Sequence, residues 1–351
     1  MKQALLYDNK DKNHVQCHAC SWHCNISPGK TGACGVRKNI DGELYSLVYG
    51  KPVSVQVDPI EKKPFYHFLP RSPVLSIGTI GCNFQCQFCQ NWGISQKPKK
   101  IAKNKSSDLE KIIDHNESWS PERIVKHCKE RNIPIIAYTY NEPAVFFRYA
   151  YDTARLAYKN GIKNVYVSNG FESKDAIEKI APYLDAINID LKSFSNNFYK
   201  KLCKAKIEPV KRNIKDIINN HKNVWLEITT LLIPGENDSE QEIKNIAQFI
   251  ANIDKNIPWH ISRFHPAYKM KDKPATDQKT IEKAYQIGRK AGLNFIYPGN
   301  ISHKIAKNTL CPNCNEIVVN RTGYDIDVKI EKNTCPNCGF VIPGIWQNFT
   351  F

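Results

Sequence analysis

The 351-residue chain lacks any apolar run approaching the length of a membrane span. Met1 to Asn13 alternates polar and apolar side chains with no continuous hydrophobic stretch, so no export signal and no membrane association are expected. Internal repeats and low-complexity tracts are missing too, apart from one duplicated Cys-Pro-Asn-Cys. Acid is in short supply: 34 Asp and Glu against 50 Lys and Arg leave a formal net charge of +16. Such an excess would suit a nucleic acid or an acidic protein. The lysines, however, are spread over helical segments such as 97–111 and 200–215, without the interleaved aromatics of a base-stacking surface. Solvated helix faces account for them, and nucleic acid is not expected as a partner. Cysteine is plentiful, at thirteen. Most fall in C-x2-C or C-x3-C units, which in a chain without export signals reads as metal binding in a reducing cytoplasm.

One stretch concentrates the chemistry. Gly81-Cys82-Asn83-Phe84-Gln85-Cys86-Gln87-Phe88-Cys89 sets three cysteines at C-x3-C-x2-C, directly after the apolar β run from Pro73 to Gly78. The next cysteine, Cys128, is well outside the loop. A structural zinc site wants a fourth protein ligand, and none lies near. Three thiolates describe a [4Fe–4S] cluster with one iron left open to an outside ligand. Phe84 and Phe88, inside the loop, are placed to shield such a cluster from water.

With these residues the chain resembles the radical S-adenosylmethionine (radical SAM) enzymes, whose hallmark is this spacing. The run Asp58-Pro59-Ile60-Glu61-Lys62-Lys63-Pro64, through to Cys89-Gln90-Asn91-Trp92, is similar to the radical SAM member of the AmmeMemoRadiSam system. That family is related to the enzymes that activate glycyl-radical enzymes such as pyruvate formate-lyase. The likeness extends from about Cys17 to the C-terminal cysteines. It implies a cluster on Cys82, Cys86 and Cys89, S-adenosylmethionine as cofactor and an external one-electron reductant. It also implies a 5′-deoxyadenosyl radical that takes a hydrogen from a substrate, which in activating enzymes is a glycine of a partner protein.

The same resemblance nominates the cofactor-binding residues. Glu142, in Tyr140-Asn141-Glu142-Pro143, stands where related enzymes carry Gly-Gly-Glu-Pro, a motif that contacts the amino group of S-adenosylmethionine; Tyr140 and Asn141 replace its glycines. From the residue alone, Glu142 suits either an amine or the start of the next helix. Asp190 and Lys192 match the Asp-Leu-Lys of activating enzymes, and a continued strand would put both on one face, where they suit a zwitterion or each other. Ser168 and Asn169 are similar to a Thr-Asn-Gly that contacts the ribose or amino-acid portion. His265, in Arg263-Phe264-His265-Pro266, resembles a histidine approaching the cofactor from a later strand.

From residue 74 to residue 296 short β-rich runs alternate with amphipathic segments. The runs are 74–77, 135–139, 165–168, 186–190, 224–230, 260–264 and 295–297; helical stretches include 121–131, 144–160, 174–181, 240–254 and 279–291. Ser120-Pro121-Glu122 supplies a serine cap, a first-turn proline and an early acid. This alternation predicts an α/β class with parallel units, and the resemblance sharpens it to a partial (β/α)6-type TIM barrel at about 70–300. An N-terminal Cys-rich module is expected at 1–65 and a zinc ribbon at 305–345. Polar residues collect just after the strands, so one mouth should gather them.

In the C-terminal module Cys311, Cys314, Cys335 and Cys338 form two Cys-Pro-Asn-Cys knuckles, the pattern of a zinc ribbon. Cys17, Cys20, Cys24 and Cys34 put four thiolates in eighteen residues. Zinc and an auxiliary iron–sulfur cluster both suit that spacing, with His18 and His23 as substitute ligands. Cys128 and Cys203 read as buried thiols. Two rivals stand beside an enzyme acting on a protein: radical modification of RNA or a metabolite, and a non-catalytic, metal-dependent interaction protein. An unused site has no reason to keep Glu142, Asp190, Lys192 and His265 together, which argues against the second.

Overall fold

The computed structural model describes residues 1–104, 106–299, 307–323 and 325–346. Its centre is a sheet of eight strands: β1 (Ser54–Pro59), β2 (Pro73–Gly78), β3 (Ile135–Tyr138), β4 (Lys163–Ser168), β5 (Ala186–Asp190), β6 (Trp225–Leu232), β7 (Trp259–Arg263) and β8 (Ile296–Gly299). They lie side by side in chain order. β2 through β8 pair in parallel, and β1 runs antiparallel along β2. Parallel neighbours need crossovers, and helices supply them, among them Pro121–Glu130, Phe147–Lys159, Glu208–Asn220, Glu240–Ile253 and Gln278–Lys290. Among the described residues no pairing joins β8 to β1. The sheet is a barrel left open.

The strands read so clearly as apolar runs because they are covered on both faces: all four residues of β3 are buried, as are the first four of β5. Ser120 caps as its position predicts, its hydroxyl accepting from Arg123 N at 3.3 Å. The antiparallel edge β1 is a departure, since 54–59 falls in the stretch assigned to the N-terminal module. Its alternation of Val55 and Val57 with polar residues spans only a few positions, too short to separate from a loop.

The N-terminal residues form two small antiparallel sheets, Lys2–Gln3 with Glu43–Ser46 and Arg37–Ile40, and Tyr7–Asn9 with Val15–Cys17 and Asn25–Ile26. Ala4, Val15, Val36 and Leu44 join the same hydrophobic core as the barrel. At the other end Thr309–Leu310, Ile317–Thr322 and Asp325–Val328 make a third small sheet, packed on Phe295 and Tyr297. The expected boundary between 300 and 305 lies outside the described residues. Among those described, no helix is long and apolar enough to cross a membrane.

Candidate active site

Cys82, Cys86 and Cys89 follow β2 and line a cavity of about 360 Å³ at the carboxyl ends of the strands. Asn141, Ser168, Asn169, Asp190 and Lys192 line it as well. Four strands, β2 to β5, thus deliver residues at or just past their carboxyl ends to one place, as parallel β/α geometry requires. Phe84 and Phe88 are buried in its wall, Phe84 edge-on to Phe171 at 5.2 Å. The loop is threaded tightly: a Cβ on Gly78 would meet Thr139 O at 2.7 Å and Tyr140 Cβ at 2.9 Å. Tyr140 itself sits in the left-handed region at φ 70°, where glycine is the usual choice. Asn141 then fastens loop to strand, donating from Nδ2 to Gly81 O at 2.9 Å and accepting from Thr79 N at 3.2 Å.

Glu142 does not face the cavity. It is fully buried behind the wall, accepts from Ala144 N at 3.3 Å to cap the turn Pro143–Phe146, and takes Asn169 N at 2.9 Å and the Ser168 hydroxyl. Ser168 Oγ also lies 2.7 Å from Glu172, a second fully buried carboxylate. Burial pushes Glu142 well above the usual carboxylate range, and the charge of Glu172 adds to it. Asp190 and Lys192 pair at 2.7 Å. Burial pulls the Lys192 ammonium down, but the Asp190 carboxylate paired with it outweighs this and holds it well above the usual lysine range. His265 is exposed at the end of β7; Ser262 and Arg263 of that strand line the cavity instead.

Several neighbours escape sequence reasoning. Cys203, buried in the π-helical turn Tyr199–Cys203, hydrogen-bonds Cys86, and that contact, ahead of burial, pushes the Cys86 thiol up. Lys99 is buried and donates to Cys82 O at 2.8 Å. Lys63, also buried, lines the cavity and pairs with Asp58 at 3.0 Å. Lys63 falls in the run Asp58–Pro64, which gives it no individual role; Glu172 and Cys203 are isolated, and Lys99 sits in a run of lysines with no distinguishing period.

The outer quartets differ from one another. The C-terminal thiols are drawn together, with Cys311–Cys338 at 3.6 Å and Cys314–Cys335 at 3.7 Å. They can hold a metal ion, and among the described residues no other group of three or more His, Cys, Asp or Glu gathers its ligand atoms within 4.8 Å. In the N-terminal set Cys17 and Cys34 are buried and Cys20 and Cys24 half-buried. His18 is engaged with Asp8 at 2.9 Å and His23 at 3.2 Å.

Comparison with known proteins decides the family. The model of the radical SAM superfamily matches residues 76–250, from β2 through the cysteine loop to the helix after β6. An uncharacterized protein of Methanocaldococcus jannaschii is 39% identical over 343 residues, covering 97% of this chain and 98% of its own. The chain belongs to the radical SAM superfamily. Another protein of that organism, whose name proposes a glycyl-radical enzyme activating enzyme, is 27% identical over 62% of this chain and 78% of its own. The crystal structure of Streptococcus suis SuiB bound to S-adenosylmethionine shares the fold, with a TM-score of 0.50 at 13% identity over 72% of this chain and 55% of that one. Radical SAM membership implies a [4Fe–4S] cluster and S-adenosylmethionine, and the mouth fits both. Three thiols line it beside an aromatic wall, and its volume falls within the roughly 300–1,000 Å³ of small-molecule sites.

Proposed function

We propose that this mouth is the active site of a radical SAM enzyme acting on a glycine of a partner protein. The carrying observation is the convergence of Cys82, Cys86 and Cys89 with the Asp190–Lys192 pair and Ser168-Asn169 on one cavity. The three cysteines hold the cluster. Together the cluster and cofactor supply one-electron cleavage of a sulfonium and a radical able to remove hydrogen from carbon. Asp190 and Lys192 receive the amino-acid end of the cofactor, an acid and a base for a zwitterion. Ser168 and Asn169 meet its ribose. Glu142 is a positioning residue: its carboxylate fixes Asn169 N and the Ser168 hydroxyl from behind. Phe84 and Phe88 exclude water. The relative named for glycyl-radical activation supports the protein substrate. The C-terminal quartet holds zinc, whose bond length and tetrahedral geometry suit its sulfur spacing.

Reduced, anaerobically reconstituted protein should cleave S-adenosylmethionine to 5′-deoxyadenosine, and Cys82→Ala, Cys86→Ala or Cys89→Ala should reduce cleavage to background. Cleavage surviving in the triple variant removes the assignment. For the substrate, a candidate partner labelled with deuterated glycine should pass deuterium into 5′-deoxyadenosine. Label arriving only from RNA or a metabolite rejects the protein reading.

A further inference from the structure

The N-terminal quartet is enclosed: Cys17 and Cys34 are buried, and Cys20 and Cys24 are half-buried. Spacing separates the two chemistries open to it. Zinc draws four thiolates to about 3.8 Å of one another, from a Zn–S bond of about 2.3 Å and tetrahedral angles. The C-terminal pairs, at 3.6 and 3.7 Å, match that demand. The N-terminal set is more open: no three of its Sγ atoms lie within 4.8 Å of one another, and the same holds for Cys82, Cys86 and Cys89. A cubane puts each thiolate on a different iron and so holds them farther apart.

The quartet is also pressed against the mouth loop. A Cβ on Gly81, the residue bonded to Cys82, would meet Cys34 O at 2.7 Å. Trp22, between Cys20 and Cys24, donates from Nε1 to Asn83 O at 2.9 Å. Lys99, which donates to Cys82 O at 2.8 Å, also lines a cavity together with Thr31, Gly32, Ala33 and Gly35. This second cavity, of about 360 Å³, lies beside both loops, between residues 31–35 and Gln85 and Gln87. Exposed Lys100, Lys204 and Lys269 rim it.

We propose that Cys17, Cys20, Cys24 and Cys34 hold a second [4Fe–4S] cluster that passes single electrons to the mouth, fed by an acidic carrier protein docked over the lysine-rimmed cavity. This rests on the mouth trio holding its own cluster, as proposed above. One electron leaves a low-potential flavin or iron–sulfur carrier, reduces the second cluster and moves on to the mouth. The carrier ends oxidised, the mouth cluster reduced and the second cluster unchanged, with no bond made or broken. Opposite charge steers the carrier to the lysines.

Metal counting on the reconstituted full chain comes first and needs no variant. About eight irons with about one zinc supports the second cluster, whereas about four irons overturns it, whether zinc is about one or about two. Cys20→Ser with Cys24→Ser should then remove about four irons and leave both the zinc and the paramagnetic signal that responds to S-adenosylmethionine. In that variant a small-molecule reductant still drives cofactor cleavage, while carrier-driven cleavage falls by an order of magnitude or more. Carrier-driven cleavage at the wild-type rate without those irons overturns the relay. Lys204→Glu with Lys269→Glu should raise the KM for the carrier without changing iron content; an unchanged KM overturns the docking site. Failure of the mouth reading shows itself differently, as a cofactor-sensitive signal that survives Cys82→Ala.

Discussion

Glu142 and Glu172 lie behind the mouth with Ser168 between them, both fully buried. Burial raises each carboxyl, and two like charges this close cannot both form, so the pair keeps a proton between them. Glutamates of the unfolded chain release theirs near ~4.3. Above that pH the folded state binds the extra proton. The pair's contribution is therefore complete below about 4.3 and shrinks as pH rises through the folded value. Glu142→Gln supplies the hydrogen permanently, and its melting temperature should decline less than the wild type's between about pH 5 and pH 8. A wild-type pH slope in the variant shows that no proton is shared. Glu142→Ala, which strips Asn169 N of its acceptor, should cost roughly 2–4 kcal/mol in urea unfolding. Cysteine spacing made the mouth legible in the sequence, because thiolates at C-x3-C-x2-C have few other uses. Glu172 was not legible, since nothing local distinguishes a buried glutamate from a solvated one.

β1 is the element that ties the edge of the sheet to the mouth. Asp58, near its end, takes Lys63 Nζ at 3.0 Å, Lys62 Nζ at 3.1 Å and the Tyr140 hydroxyl at 3.3 Å. Burial pushes the Asp58 carboxyl up, but the two lysines outweigh it and hold it below the usual aspartate range. Asp58→Asn removes the carboxylate charge opposite the buried Lys63. We expect a loss of roughly 2 kcal/mol in urea unfolding and weaker S-adenosylmethionine binding by calorimetry; wild-type values for both would detach β1 from the site. The parallel strands were readable because burial on two faces writes them as apolar runs. β1 was not, because a short edge strand with Gln56 and Val57 exposed in succession and a charged end looks like loop. The left-handed Lys204 that ends the turn beside Cys86 was equally hidden, being φ 52° at a residue with no preference for it.

At the scale of the molecule, the far end of the barrel is plugged. Glu227, fully buried on β6, accepts from Tyr66 N, His67 N and His260 Nε2. His67 donates from Nδ1 to Pro343 O at 2.6 Å and bonds the Tyr297 hydroxyl through Nε2, which clamps the C-terminal module to the barrel. Burial lowers its pKa to about 4. The unfolded chain takes that proton near ~6.5, the folded one only near the lower value. Stability from this site is thus full above about 6.5 and lost as pH falls toward the folded value, on the order of 3 kcal/mol in all. Unfolding free energy measured from neutral pH to mild acid should show that slope, and His67→Gln should flatten it. An identical slope in the variant would move the acid sensitivity elsewhere.

Along β6, Glu227, Thr229 and Leu231 alternate onto one face: the first is tied to the plug, the other two line the cavity. The chamber is therefore a cul-de-sac. Anything macromolecular that reacts in it has to arrive tip first and leave by the same route. A glycine held in the middle of a helix or sheet cannot do so without melting its own hydrogen bonds, and ordering a loose segment inside costs about 1–2 kcal/mol per residue. A protein substrate of the kind proposed would then be selected by how readily a short piece of it comes free.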